Sequence, residues 1–296
     1  MLSILIPVYN YNVVPLVEAL QKDIQELNIP YEIIVFNDAS SCFLTENQAL
    51  KEKQSVVYEI LEKNIGRSKI RNLLAKKAKY DWLLFLDSDV LPTATTFVSK
   101  YLPFINTEIK VVYGGIVYSE KKPEKSKLLR WIYGQKREAL PFDVRSKKPY
   151  ISFLTLNFLV HKSIFEKVCF NETIPNLRHE DTLFSYDLKQ HQIPIFHINN
   201  PVFHLGLDTF DIAIRKENEA ILALKNLLDQ NLIAIDYLKI SRIYHFIKSF
   251  QLVKFVAFIH TKTSSILIKN LASSKPSLFI YDLYRLGYLC SLYNSK

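Results

Sequence analysis

The chain is poor in features that would place it in several large protein classes. Its three cysteines, Cys42, Cys169 and Cys290, lie far apart, are odd in number and form no CxxC pair. That argues against a disulfide framework or a zinc site and fits a reducing compartment. The opening residues Met1-Leu2-Ser3-Ile4-Leu5-Ile6-Pro7 lack the basic region of a signal peptide and run straight into a strand pattern. No window approaches the roughly 18 to 20 uninterrupted apolar residues of a membrane span. These absences predict a cytoplasmic protein. A glycine-rich loop is missing as well: Pro7-Val8-Tyr9-Asn10-Tyr11 follows the first apolar run without the Gly-rich, Arg/Lys-bearing signature usual in nucleotidyl transfer. No stacking-aromatic module of the RNA-binding kind is found, so nucleic acid is not an expected partner. Acidic residues are absent between Tyr237 and Tyr281, a stretch that holds Lys239, Arg242, Lys248, Lys254, Lys262, Lys269 and Lys275.

What is present is a folded chain with an uneven charge. Apolar residues make up 49% and aromatics 13%, which excludes a disordered protein. A length of 296 residues allows a full α/β core and one appended region. The net charge of +9 is concentrated in the acid-free tail and in a second basic cluster from Lys121 to Lys148.

Short apolar runs punctuate the first third: Ser3 to Val8, Tyr31 to Phe36, Ser55 to Leu61 and Trp82 to Leu86. All but the third are nearly continuous, as strands covered on both faces are. Between them, Val13, Val17, Leu20, Ile24 and Leu27 follow helical spacing after the candidate caps Asn10 and Asn12. A second helical stripe holds Ile70, Leu73, Leu74 and Ala78. This alternation predicts a mostly parallel sheet wound in the Rossmann manner and flanked by helices. Such sheets bind ligands outside the carboxyl ends of their strands. Polar clusters follow those ends at Tyr9-Asn10, Asn37-Asp38-Ala39-Ser40 and Asp87-Ser88-Asp89, and the topology should gather them at one edge.

Further along, Val111 to Tyr118 and Ile151 to Val160 read as strands, and Glu124 to Leu140 as a basic, aromatic-containing loop or helix. Leu177 to Lys189 reads as a helix carrying a second acidic cluster. Ile193 to Leu205 gives short strands ending in His204. From Asp211 onward the pattern is helical, with no internal repeat. The expected division is 1–207 and 208–296.

Asp87 and Asp89 follow the buried run Leu83-Leu84-Phe85-Leu86. If the extended geometry persists they share a face. Carboxylates so placed repel, and a hard divalent cation or a polar ligand would relieve the repulsion. Taken alone, the pair is a weak signal and reads rather as a strand followed by an acidic turn.

Taken together, the motifs resemble family 2 glycosyltransferases of the GT-A fold, over about Ser3 to Asn226. Ile4 to Asn10 is similar to that family's opening strand and loop, and Val35 to Ser40 to its second nucleotide-contacting turn. Asn64-Ile65-Gly66 through Arg71-Asn72 resembles the stretch before the metal site, and Phe85 to Asp89 the Asp-x-Asp element. Asn157-Phe158 with His179-Glu180-Asp181 matches the acceptor-side motif, and His204-Leu205-Gly206 the late histidine. One departure stands in the second turn, where Asn37 and Ala39 replace an Asp and a Gly; losing the Gly removes a position tolerant of positive φ. Lys127 to Trp131 approximates the Gln-x-x-Arg-Trp element of processive members. It has Lys for Gln and precedes the Glu-Asp pair, so a processive synthase is not expected.

The resemblance implies metal-dependent, inverting transfer of a sugar from a nucleoside diphosphate, UDP favoured, to a lipid-linked or glycan acceptor in cell-surface glycan assembly. A Mg²⁺ or Mn²⁺ ion would neutralise the leaving diphosphate, held by Asp89 with His204 and Asp87. Pro7, Tyr9, Asn10, Asp38, Gly66, Arg71, Asp87 and Ser88 would line the nucleotide-sugar site. Asp181 would be the base, with Glu180 orienting the acceptor. Asn157, His179 and Trp131 would contact the acceptor. The competing readings are nucleotidyl transfer and a non-catalytic protein of membrane surfaces or nucleic acid. The basic tail reads either as a helical subdomain or homodimer interface with a solvated Lys face, or as a dock on the anionic inner face of a membrane.

Overall fold

The computed structural model describes residues 1–105, 107–108 and 110–294. The chain begins with β1 (Leu2–Val8), α1 (Val14–Gln25) and β2 (Tyr31–Asn37). α2 (Leu44–Gln48), β3 (Val56–Ile60), α3 (Arg67–Lys77) and β4 (Trp82–Leu86) follow. Next come β5 (Val90–Pro92), β6 (Val111–Tyr113), β7 (Ile116–Val117), α4 (Leu128–Tyr133) and α5 (Phe142–Ser146). Then β8 (Asn157–His161), α6 (Lys162–Lys167), α7 (Glu180–Gln190), β9 (Phe196–His197) and β10 (Val202–His204) lead to the long helices α8 (Phe210–Asp229), α9 (Lys239–Ser249), α10 (Val253–Leu271) and α11 (Leu278–Asn294).

A seven-stranded sheet runs β3-β2-β1-β4-β8-β6-β9. Its first four strands are parallel, β8 is antiparallel to both β4 and β6, and β9 is parallel to β6. The strand Trp82–Leu86 is buried throughout, because β1 and β8 flank it and helices cover both faces. Each such side chain contributes about 1.5–3 kcal/mol by leaving water. Phe85 stacks on Phe158 with ring centroids 4.9 Å apart, and Phe170 on Phe184 at 4.5 Å. The polar run at Ser55 to Leu61 is explained by position: β3 is an edge strand and leaves Val57 and Ile60 exposed. Pro7 falls where β1 has outrun β4, whose pairing with it ends at Leu5 opposite Phe85, so its missing N–H costs no ladder bond there.

Two expected strands are shorter than the pattern suggests. Val111 to Tyr118 breaks at Gly114-Gly115, where Gly115 takes φ 94° and the chain leaves the large sheet. The Arg145 guanidinium fills the break, donating to the carbonyls of Tyr113 at 3.2 Å and Gly114 at 2.8 Å. Ile151 to Val160 is strand only from Asn157, because β4 ends at Leu86 opposite Asn157 and offers no partner earlier. Neither candidate cap is the N-cap of α1, which is Val13: Asn12, one residue earlier, accepts from the Val14 N–H at 3.1 Å, and Asn10 accepts from Ser41 instead.

Residues 1–118, 138–176 and 180–206 form one compact unit, and residues 119–137, 177–179 and 207–296 a second. In the second, Ile221, Tyr244, Ala257, Leu289 and Cys290 make one core cluster and Leu129, Leu271, Tyr281 and Tyr284 another.

Candidate active site

A second, three-stranded sheet of order β5-β10-β7 brings the chemistry together. β10 runs antiparallel to β5 with His204 opposite Val90, so His204 lands beside Asp89, the residue before β5. The Leu205 N–H donates to the Asp89 carbonyl at 2.8 Å and locks that register. His204 Nε2 then lies 3.2 Å from Asp89 Oδ2. On its other side β10 pairs in parallel with β7, Phe203 opposite Val117, which places Tyr118 next to His204. His204 Nδ1 is 2.9 Å from the Tyr118 hydroxyl, and that hydroxyl donates to Glu138 Oε2. A Cβ on Gly206 would stand 2.2 Å from Asp89 Oδ2, so only glycine leaves room for the carboxylate.

This arrangement fits a divalent cation. With its one proton given to Glu138, the Tyr118 oxygen accepts from Nδ1–H, leaving Nε2 as a lone-pair donor. A lone-pair nitrogen and a carboxylate oxygen facing each other at 3.2 Å repel unless a proton or a cation lies between. Among the described residues no group of three or more His, Cys, Asp or Glu could hold a metal ion. An oxygen-preferring cation held by Asp89 and His204 would therefore take much of its shell from phosphate and water, as Mg²⁺ does in nucleotide enzymes.

The carboxyl ends of β1 and β2 are tied to each other. Asn10, at φ 53°, accepts from the Ser41 N–H at 2.7 Å, and its own N–H donates to Ser40 Oγ at 2.8 Å. Asp38 is buried and faces inward. Its two carboxylate oxygens accept from the N–H groups of Ile65 at 2.7 Å and Gly66 at 3.0 Å. Asp38 thus shapes the loop before α3, which differs from the expected open contact to a base or ribose. Gly66 has φ 85° and ψ 169°, a conformation essentially reserved for glycine, and a Cβ there would meet Asn176 at 2.6 Å. Ala39 takes φ 55°, so the turn keeps the left-handed residue that the missing Gly would have supplied. Tyr9 is exposed beside these loops.

Asp87 and Asp89 do not continue the strand; the chain turns at Ser88 and Asp89. Burial holds the Asp87 carboxyl above its ordinary range; Arg71 opposes this, and the nearby Asp89 charge adds to it. Arg71, 4% exposed, donates to Asp87 Oδ1 at 2.7 Å and to Glu180 Oε1 at 3.3 Å. Burial disfavours its charge, but Asp87, Glu180 and Asp181 together raise its pKa. Arg67 Nε approaches Glu180 at 3.8 Å, so Glu180 sits between guanidinium groups. Asp181, at the start of α7, is pushed up to about 6 by burial and by Glu180. It accepts from the Thr182 N–H at 2.7 Å. Asp87, Asp89, Glu180 and Asp181 outnumber Arg67 and Arg71, which leaves a surplus of negative charge at the strand ends.

Asn157 is corrected. It is 0% exposed and saturated, accepting from the Tyr101 hydroxyl at 2.6 Å and donating to the carbonyls of Gly115 at 2.9 Å and Asn200 at 3.0 Å. It cross-links strands and cannot touch an acceptor. His179 takes φ 70° immediately before α7. Trp131 lies on α4 with its indole N–H donating to the Ser119 carbonyl at 2.8 Å; both belong to the second unit. Tyr118, Glu138 and Arg67 have site contacts that sequence pattern did not suggest. Tyr11 was also missed: its phenol pKa is raised by burial and then by Asp89. Gly206 was legible only as part of the late-histidine motif.

The family model for glycosyl transferase family 2 matches residues 3–169, more than half of the chain. The chain belongs to that family. An uncharacterized glycosyltransferase of Haemophilus influenzae is 36% identical over 91 residues, covering 30% of this chain and 29% of that protein. One from Rickettsia bellii is 32% identical over 89 residues, covering 30% and 13%. The match thus spans less than a third of the length of these relatives. Among solved structures, a mannosyltransferase of Pyrobaculum calidifontis in complex with GDP-Man and Mn²⁺ superposes with a TM-score of 0.54 at 15% identity, over 77% of this chain and 64% of that one. S. aureus TarS 1–349 in complex with UDP-GlcNAc gives a TM-score of 0.50 at 17% identity, over 99% and 91%. The family 2 chain shares the GT-A fold with both.

Proposed function

We propose that this family 2 transferase moves a sugar from a nucleoside diphosphate to a hydroxyl of a lipid-linked or glycan acceptor, inverting the anomeric carbon. The observation that carries the reading is the Asp89–His204 pair, a carboxylate oxygen and an imidazole nitrogen 3.2 Å apart at the carboxyl edge of the sheet, which together can hold a cation. A bound Mg²⁺ or Mn²⁺ would supply Lewis-acid neutralisation of the departing diphosphate. Asp89 and His204 Nε2 are the protein groups placed to hold it, with Asp87 beside them. Gly66 opens α3, and the N–H groups of Gly66 and Arg67 are taken by Asp38 and Asn176, so this loop serves to position Arg67 and Arg71 beside the carboxylates.

Asp181 takes the proton of the attacking hydroxyl. Its raised pKa brings it near the working pH, where a base is most effective. Glu180, held by Arg67 and Arg71, is committed to ion pairs and orients rather than transfers protons. A single attack from the face opposite the leaving diphosphate gives inversion. The UDP-GlcNAc complex of TarS supports a uridine donor, and the GDP-Man complex of the mannosyltransferase makes guanosine the alternative for the same screen. The free cysteines Cys42, Cys169 and Cys290 support placement in the cytoplasm.

The test is a thermal-shift and turnover screen of UDP- and GDP-sugars with Mn²⁺, on the wild type and on Asp89→Ala. The wild type should show metal-dependent stabilisation and sugar release. The variant should lose both while keeping any metal-independent nucleotide binding. Full metal-dependent activity in Asp89→Ala would sink the assignment.

A further inference from the structure

Helix α10 is apolar on opposite sides. Its inner face, with Val253, Val256, Ala257 and Leu271, packs into the two core clusters of the C-terminal unit. That accounts for one stripe of a helix; a surface helix usually has no second. Here Phe255, Phe258, Ile259, Lys262, Ile266 and Lys269 recur at three- and four-residue spacing on the outer side. Phe255, Phe258 and Ile266 are 59%, 60% and 65% exposed. Immediately before α10 in the chain, Leu252 is exposed too, and at the end of α9 Phe246 and Phe250 are 64% and 61% exposed, their rings 4.8 Å apart. Single exposed apolar residues need no explanation, but a row of phenylalanines along two consecutive helices does.

The charge around this row has one sign. Arg242, Lys248, Lys254, Lys262, Lys269 and Lys275 are all exposed, and the sequence from Tyr237 to Tyr281 contains no Asp or Glu. Lys262 extends over the Phe258 ring at 5.8 Å, charge and apolar surface sharing one patch. A second copy of the chain docked here about a two-fold axis would set lysines against lysines, with no acid on α9 or α10 to pair them. A nucleic acid would meet the charge but offers no apolar layer for phenylalanine and isoleucine. An anionic bilayer offers both, phosphate headgroups outside and acyl chains beneath. Among the described residues no helix is long and apolar enough to cross a membrane, and α10 is interrupted by Lys254, Lys262 and Lys269. It suits lying in the interface.

We infer that the outer face of α9 and α10 docks this chain on an anionic membrane surface, with the Phe and Ile side chains entering the headgroup boundary and the lysines held by lipid phosphates. This docking belongs to the C-terminal unit and is independent of the transfer chemistry, so its test requires no turnover.

The full-length chain is sedimented with vesicles of phosphatidylglycerol and phosphatidylcholine, and with phosphatidylcholine alone. It should pellet only with the anionic vesicles, and less as salt shortens the screening length. The triple variant Phe255→Ser, Phe258→Ser, Ile266→Ser removes exposed apolar surface. The triple variant Lys254→Glu, Lys262→Glu, Lys269→Glu reverses the charge. The latter should weaken partitioning by about a hundredfold or more, at roughly one kcal/mol per cation near the surface. Thermal melts of both should match the wild type, since every altered side chain is exposed. A wild type that stays in the supernatant at low salt overturns the inference. So does wild-type partitioning by both variants, which would put the contact elsewhere. A shift of an RNA oligonucleotide without vesicle binding, or a dimer in sedimentation velocity that the Phe variant dissolves without vesicle binding, also overturns it.

Discussion

His204 Nδ1 faces the Tyr118 hydroxyl at 2.9 Å, and that hydroxyl is already donated to Glu138. The consequence is directional. A phenol with its proton committed to a carboxylate can only accept from the imidazole, which fixes the tautomer and turns the Nε2 lone pair toward Asp89. The Glu138–Tyr118–His204 chain is therefore a positioning device for whatever bridges His204 and Asp89. Tyr118→Phe removes the hydroxyl and keeps the ring, which packs edge-on against His204 with centroids 5.3 Å apart. The expected result is a metal affinity lower by about 10- to 100-fold, read as the Mn²⁺ concentration needed for nucleotide-dependent thermal stabilisation. Turnover at saturating Mn²⁺ should recover most of its wild-type value. Unchanged metal dependence would leave Tyr118 with packing alone.

The pH profile should expose Asp181. Its pKa in the folded chain lies at about 6, held up by burial and by Glu180. A base must be ionised, so turnover should be full above that value and fall as the pH drops through it. Asp181→Asn keeps the shape and cannot accept a proton; kcat should fall by about 10²- to 10⁴-fold with donor affinity nearly unchanged. Glu180→Gln offers a second reading. Removing that neighbouring charge takes away a cause of the raised pKa, so the acid limb should move to lower pH. A limb that stays in place, or moves upward, would assign the titration to another group.

How far the sequence anticipated this site depends on the kind of strand involved. β1, β2 and β4 are covered on both faces, so their apolar runs are continuous and the polar clusters at their carboxyl ends stand out. Strands of two or three residues carry no such signal. β5, β7 and β10 are too short for period-two alternation to register, yet their pairing is what joins Asp89, His204 and Tyr118. The Tyr118–Glu138 link depends further on the chain changing sheets at Gly115, which no local pattern announces. Asp38 and Asn157 illustrate the opposite error. Residue type and order placed both in motifs, but only burial and hydrogen bonding reveal that Asp38 braces the Gly66 loop and that Asn157 is sealed inside the sheet.

Backbone conformation at the nucleotide-side turns gives a pair of predictions with opposite signs. Ala39 adopts φ 55° and Gly66 φ 85°, both positive where an L-residue prefers negative φ, but only one of them has a side chain. An alanine in the left-handed region costs roughly 1–2 kcal/mol, while glycine in its place gives back about 0.4–1 kcal/mol through the freer unfolded chain. Ala39→Gly should therefore stabilise by about 0.5–1 kcal/mol, a rise of about 1–2 °C in Tm at this chain length. Gly66→Ala should do the reverse. Its backbone lies in a region that costs on the order of 1–3 kcal/mol for other residues. The new methyl would also push into Asn176 and disturb the loop whose N–H groups at Ile65 and Gly66 hold Asp38. Tm should drop, and nucleotide affinity with it, because the start of α3 moves. Urea or thermal unfolding of both variants beside the wild type measures the signs, and a fall in Tm for Ala39→Gly would mean that the turn is held by contacts of the Ala39 methyl rather than strained at its φ.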